Sequence, residues 1–317
     1  MYRPIHRIRA AVLGLACVLT ACSGPAAPEG DARADAETAR LEAEFTSRTQ
    51  VARMAREEAL TGEQGWTRLT GLHRIELRSH FVGSAAGSGI RLAHGPAKLG
   101  LLQSEDGSFA FTPERGVALT LDGAPVEGRV RLRSDRDGAA DVLGFDDGQG
   151  ALSIIERGGA AFVRVRHADA EARRLFAGLE YWPIDRGWQI DAAFTPTPAD
   201  ARIDVANILG MVEPARTPGT VAFERDGVDY TLQALEGSDG GLFLIFADRT
   251  SGRGSYSAGR YLDTAAPGAD GRVVLDFNRA QNPPCAFTAF ATCPLPPDGN
   301  RLDLVVDAGE KAYRTPR

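Results

Sequence analysis

Two cysteines, Cys285 and Cys293, stand eight positions apart in the run DFNRAQNPPCAFTAFATCPLPPDGNR, which spans 276–301. Thiols so placed have two chemical uses. In an oxidising compartment they couple into a disulfide, and closing so short a loop contributes about 2.5 kcal/mol in the chain-entropy model. Kept reduced, Cys285 or Cys293 becomes a nucleophile, provided that a neighbouring base lowers its pKa. The same run supplies Asp276, Asn278, Arg279, Asn282, Asn300 and Arg301, and Arg260 in SAGRYLD adds a fork suited to an anion. A stiff loop that holds these groups together has the make-up of a recognition or catalytic site. It equally has the make-up of a cross-linked corner, in which asparagines satisfy the backbone groups left outside any strand ladder by Pro283, Pro284, Pro294, Pro296 and Pro297. The residues leave both readings open and assign no catalytic group.

Other chemistry is thinner. The five histidines, at 6, 73, 80, 94 and 167, do not adjoin the cysteines, and no His-x-His, His-Glu-x-x-His or Cys-x-x-Cys spacing occurs, so neither a metal nor a cofactor is expected. Asp135, Asp137 and Asp141 form an incomplete calcium pattern that reads as an acidic turn. GSAAGSG, at 83–89, lacks the Lys-Ser/Thr of a phosphate loop, and SYSAG, at 255–259, is a partial nucleophile elbow. Tyr181, Trp182 and Trp188 in EYWPIDRGW would stack on a glycan or plug the end of a sandwich.

Where these groups work is set by the first residues. Arg3, Arg7 and Arg9 precede the apolar run 10–21, too short to span a bilayer, which reads as a signal peptide over 1–21. Leu19-Thr20-Ala21-Cys22 resembles a bacterial lipobox, which implies acylation of Cys22, anchorage to the envelope facing the periplasm and, with Ser23 next, the outer membrane. Loss of the leader takes the formal charge from −6 to −9, because three arginines and no acids leave. An acidic surface excludes nonspecific nucleic-acid binding, so the expected partners are the membrane, through lipid, and a small molecule or glycan.

The elements that position the site follow from periodicity. Residues 22–37, small and polar, predict a flexible tether, and 38–60 an amphipathic helix with Leu41, Phe45, Val51, Met54 and Ala55 as its stripe and a break near 46–49. From Gly65 onward short alternating runs separated by Asp-Gly and Gly-Gly turns predict a mainly β fold of antiparallel sandwich- or barrel-like units. The first unit is placed at 61–180 and the second at 181–317, with a helical turn at 170–177 near the junction.

The stretch LDFNRAQNPPCAFTAFATCPLPPDGNRLDLVVDAGEK resembles the signature of the bacterial family called domain of unknown function 1684, and GWTRLTGL, RRLFAGLEYWPID, NILGMVE and DRTSGRGSYSAGRYLD are similar to its other segments. Phe290 stands where that family has tyrosine and Ser257 where it has glycine. The resemblance implies no reaction. FVGSAAGSGIRL and LTLDGAPVEG give the first unit a faint similarity to forkhead-associated sandwiches, but 83–89 does not carry the phosphothreonine-reading set. The resulting expectation is a lipid-anchored envelope protein that binds a ligand or scaffolds beside the cysteine loop; the alternative is an envelope hydrolase or transferase with its site at NPPCAFT.

Overall fold

The computed structural model of the chain describes residues 29–314. The leader and Cys22 lie outside the described residues. Helix α1 runs over Glu29–Thr61 without a break, so it begins nine residues before the expected start and the tether reading fails from Glu29 on. The reason is compositional: GDARADAETARLEAE is rich in alanine and in Glu–Arg pairs, and Arg40 bridges Glu37 and Glu44 one turn to either side.

Within the compact body, which begins at Phe45, the helix docks by a face that shares Phe45 alone with the expected stripe. Val51 and Met54 are 63% and 72% exposed, whereas Phe45, Thr49 and Leu60 are buried. Between those anchors the contacts are polar. Arg53 donates to Trp182 O at 3.0 Å, and Arg56 donates to Asn282 O and pairs with Glu310, both at 2.9 Å. Arginines spaced three apart on an alanine-rich helix look like a solvated face in sequence; here they are the docking groups.

The mainly β, antiparallel reading is borne out. One six-stranded sheet contains the hairpin Gly150–Arg157 and Ala160–His167, flanked by Leu69–Arg74. A five-stranded sheet centred on Ser79–Gly83, Gly100–Glu105 and Ser108–Pro113 shares its core, in which Val82, Leu102 and Phe111 meet Leu152, Ile154, Val163 and Val165. Its edge strand Ile90–Arg91 is a parallel exception. The other six-stranded sheet is built from Gln189–Pro196, Gly219–Arg225, Val228–Glu236, Leu242–Phe246, Arg260–Asp263 and Arg272–Asp276. One face packs on Phe277, Ala280, Leu302, Val306 and Ala308 from the C-terminal segment; Ile245, Leu235 and Tyr261 pack instead with Val205, Ala291 and Cys293.

Turn chemistry fixes the registers. Asp122-Gly123, Gly158-Gly159 and Asp226-Gly227 all take positive φ at both central positions, the geometry whose twist matches a hairpin, and they connect pairs such as Arg157 with Ala160 and Arg225 with Val228. The expected turn at 170–177 is a four-residue helix, Glu171–Arg174. Among the described residues no helix is long and apolar enough to cross a membrane.

Candidate functional site

Most of the polar signature is committed to holding the fold. Asn300 accepts from Gln233 N at 2.7 Å and donates to Gln233 O and Ile245 O, both at 2.9 Å, so one amide closes the C-terminal segment onto two strands. Asn278 does the same for the turn at Asp185, whose N–H it accepts at 3.0 Å and whose carbonyl it meets at 2.8 Å; Asp276 Oδ1 accepts from the Asn278 amide. Asn282 is fully buried, takes its N–H to Glu310 at 2.7 Å and its Nδ2 to Lys311 O at 2.7 Å, and leaves Oδ1 without a partner.

Arg260 corrects the anion-fork expectation. It is 1% exposed, and its guanidinium is bound to Asp248 and to the carbonyls of Ala308 and Val306. Burial lowers its pKa against the pull of Asp248, and the fork has no face left for a ligand. Asp248 in turn accepts from Thr250, whose hydroxyl touches that of Ser255 at 2.7 Å. Ser255, which replaces the first glycine of the partial elbow, is therefore buried in a scaffold network, whereas Ser257 at the elbow's nucleophile position is exposed. Arg301 is exposed, with only its backbone bridged to Ala247.

What remains converges on a cleft of about 110 Å³ beside the 45–61 portion of α1, lined by Thr49, Arg53, Arg56, Tyr181, Asp263, Arg279, Gln281 and Glu310 among others. The AGEK segment builds its floor. Gly309 has φ 78°, and a Cβ there would stand 2.4 Å from Ala280 O, so only glycine lets this chain lie so close and bring Glu310 under Arg56. Glu310 is 1% exposed. Burial raises its pKa more than Arg56 and the Asn282 N–H lower it. Burial also raises Asp263, which accepts from Gln281 at 3.1 Å, and lowers Arg53, which lies 4.3 Å over the Tyr181 ring.

Several cleft donors lack acceptors. Arg53 Nε is buried without a partner, and among the described residues neither Arg279 nor the Thr49 hydroxyl makes a hydrogen bond or ion pair. Such a set suits a carboxylate, with Asp263 at the same cavity for a cationic group. Of the residues singled out in sequence, Tyr181, Asn278 and Arg279 reach this lining. Arg53, Arg56 and Glu310 were missed, although GEK within the signature was a usable signal for the last.

Cys285 and Cys293 stand side by side as free thiols: Cys285 N–H donates to Cys293 Sγ at 2.9 Å, and no bond joins the sulfurs. Hydrogen bonding from Cys293, aided by Tyr256, draws the Cys285 thiol down to about 7, while Cys293 is pushed up by Cys285 and by burial. No described histidine contacts either sulfur; His94 stacks on His167, which meets Asp146 at 3.0 Å, and His80 accepts from Leu77 N. Phe287 anchors the loop against Phe176 and Tyr313.

The glycan-stacking aromatics are capped by cations: Arg53 over Tyr181, Lys311 over Trp182 and Arg225 over Trp188. Asp141 binds Arg133 and Asp135 pairs with Arg157, as an acidic turn would.

A family model described as "Protein of unknown function (DUF1684)" matches residues 174–311, which contain the signature, the cysteine pair and Glu310. No curated protein matches the chain. Among solved structures, the solution NMR structure of an uncharacterized protein from Haloarcula marismortui is 32% identical over 44% of this chain and 78% of that one, with a TM-score of 0.37. Residues 174–311 thus belong to the DUF1684 family.

Proposed function

We propose that this is a lipid-anchored binding protein of the bacterial envelope, facing the periplasm, whose cleft takes an amino-acid-sized zwitterion. The observation that carries this reading is the set of groups without hydrogen-bond acceptors, the buried Arg53 Nε with Thr49 and the exposed Arg279, that share a cavity of about 110 Å³ with Asp263. Preorganised donors cost little to align with a carboxylate, and the small volume restricts the ligand to a few heavy atoms. Calorimetric titration with glycine, and with acetate for comparison, tests it. Glycine binds saturably, acetate more weakly, and Arg53→Gln loses at least tenfold in affinity; absence of saturable glycine heat refutes the reading.

Anchorage is supported by the Leu-Thr-Ala-Cys22 context alone. Cys22→Ser should move the protein from the membrane to the soluble fraction, and retention in the membrane would refute the acyl anchor.

A second reading, hydrolase or transferase at the NPPCAFT loop, is favoured by the lowered Cys285 thiol. In an oxidising envelope the two thiols couple, and intact protein purified without reductant is two hydrogens lighter than the dithiol. Two alkylatable thiols in that preparation favour the enzyme reading instead.

A further inference from the structure

Strand Ala160–His167 alternates sharply. Val163 and Val165 enter the sandwich core, so Arg164 and Arg166 must leave on the opposite face. That face is not open to water. Trp66 and the cysteine-bearing loop cover it, and Arg164 is only 9% exposed.

A guanidinium so deeply covered ordinarily has a carboxylate or a set of carbonyls around it. Arg164 has neither. Among the described residues it makes no hydrogen bond and no ion pair, and its Nε is sealed from solvent without an acceptor. The nearest charges do not compensate it: Arg166 and Arg157 repel, Asp135, the one carboxylate that attracts it, already pairs with Arg157 at 2.8 Å, and the Cys293 thiol, which also attracts it, is held protonated by its raised pKa. Burial and those arginines lower its pKa to about 10, so it remains a cation at neutral pH. Its one close partner is the Trp66 ring, 5.5 Å from the guanidinium carbon. Cation–π contact is weaker than the ion pair that such burial calls for.

The guanidinium borders a cavity of about 230 Å³. Beyond Arg164 and Arg157 the walls are Trp66, Phe243, Tyr261, Pro284, Ala291, Thr292, Cys293 and Pro294, mostly flat and apolar. The Tyr261 hydroxyl is already spent on Pro294 O at 2.9 Å, so it contributes a ring face and no free donor. A cavity below drug size, with one cationic end and aromatic walls, has room for a single ring.

We propose that this cavity is a second binding site, separate from the cleft of Arg53, and that it takes a carboxylate carried on a flat apolar body, with the carboxylate on Arg164 and the ring between Trp66 and Tyr261. The site needs no new covalent chemistry. The ligand supplies the counter-charge that the protein omits, and it also explains why the cysteine loop closes over an arginine.

The test uses the full chain and sodium benzoate as the probe, followed by calorimetry and by melting temperature. Wild type should bind benzoate saturably and melt higher with it, whereas inorganic phosphate, which has charge and no ring, should bind at least tenfold more weakly. Arg164→Met should lose at least tenfold in benzoate affinity while melting at or above the wild-type temperature, because it removes an uncompensated buried charge. Thr292→Phe, which fills the cavity and leaves Arg164 in place, should abolish benzoate binding. Arg53→Gln should leave benzoate binding intact, which separates this site from the zwitterion cleft. The proposal is overturned by no saturable binding to wild type, by phosphate binding as tightly, by unchanged affinity in either cavity variant, or by Arg164→Met melting well below wild type or failing to fold. That last result would make the guanidinium a structural element.

Discussion

Arg260 and Arg164 both sit on strands of antiparallel sheets, and both are more than nine-tenths buried. Around Arg260 the protein supplies a buried carboxylate and two carbonyls. Around Arg164 it supplies a tryptophan face and a cavity of about 230 Å³. Burying a charge is costly in either place, but in the first the compensation is built in and in the second it must come from elsewhere. The contrast separates scaffold from receptor better than residue type does, since both are arginines in similar strands. The zwitterion cleft lies between these extremes: Arg56 is neutralised by Glu310, while Arg53 beside it keeps a sealed Nε without a partner.

Substitutions should break this contrast in order of size. Arg260→Met leaves Asp248 buried and unpaired and should cost about 3–5 kcal/mol in chemical denaturation, much of it recovered when Asp248→Leu is added. A loss confined to the surface-pair range would show that Arg260 is not the compensated charge described here. Next in size is Asn300→Ala, which strands two strand carbonyls and one N–H and should cost about 1–3 kcal/mol. Asn282→Ala should cost less, because its Oδ1 is already unsatisfied and its side chain holds only Lys311 O. Equal losses at the two asparagines would contradict that ranking.

Arg164 yields a pH signature of opposite character. Its folded pKa, about 10, lies well below the ordinary guanidinium value, so between the two the unfolded chain binds more protons and stability should rise with pH. Below about 10 the burial penalty is constant. Arg164→Met removes both the penalty and the rise, which alkaline denaturation curves of the two proteins check. The smallest effect is at the thiols. In the reduced protein, alkylation of Cys285 should be half-maximal near pH 7 and shift upward in Cys293→Ala, because the hydrogen bond from Cys293 is the leading cause of the lowered value. An unshifted midpoint would assign the effect to Tyr256.

The strand architecture was legible because period-two alternation and Asp-Gly or Gly-Gly turns are local signals, and Asp122-Gly123 and Asp226-Gly227 behave as their chemistry requires. The signature was legible as a rigid polar unit, yet its division of labour was not. Whether Asn278, Asn300 and Arg260 face a ligand or a backbone depends on contacts 48 to 93 positions away, such as Arg260 with Ala308 and Asn278 with Asp185. Helix α1 misled for a related reason. Its apolar residues Val51 and Met54 are exposed, and the groups that dock it are arginines whose acceptors lie more than a hundred positions downstream. Arg164 was hidden because alternation places it outward, where sequence expects water, and only tertiary packing covers it.

Arginine Nε–Hε resonances in an NMR spectrum of the full chain, assigned through Arg53→Gln, Arg164→Met and Arg260→Met, address the central distinction most directly. Glycine should move the Arg53 signal, benzoate should move that of Arg164, and neither should move that of Arg260. If both ligands leave Arg53 and Arg164 where they were, the unpartnered guanidinium groups are not receptors and the account of this protein as a binder is contradicted.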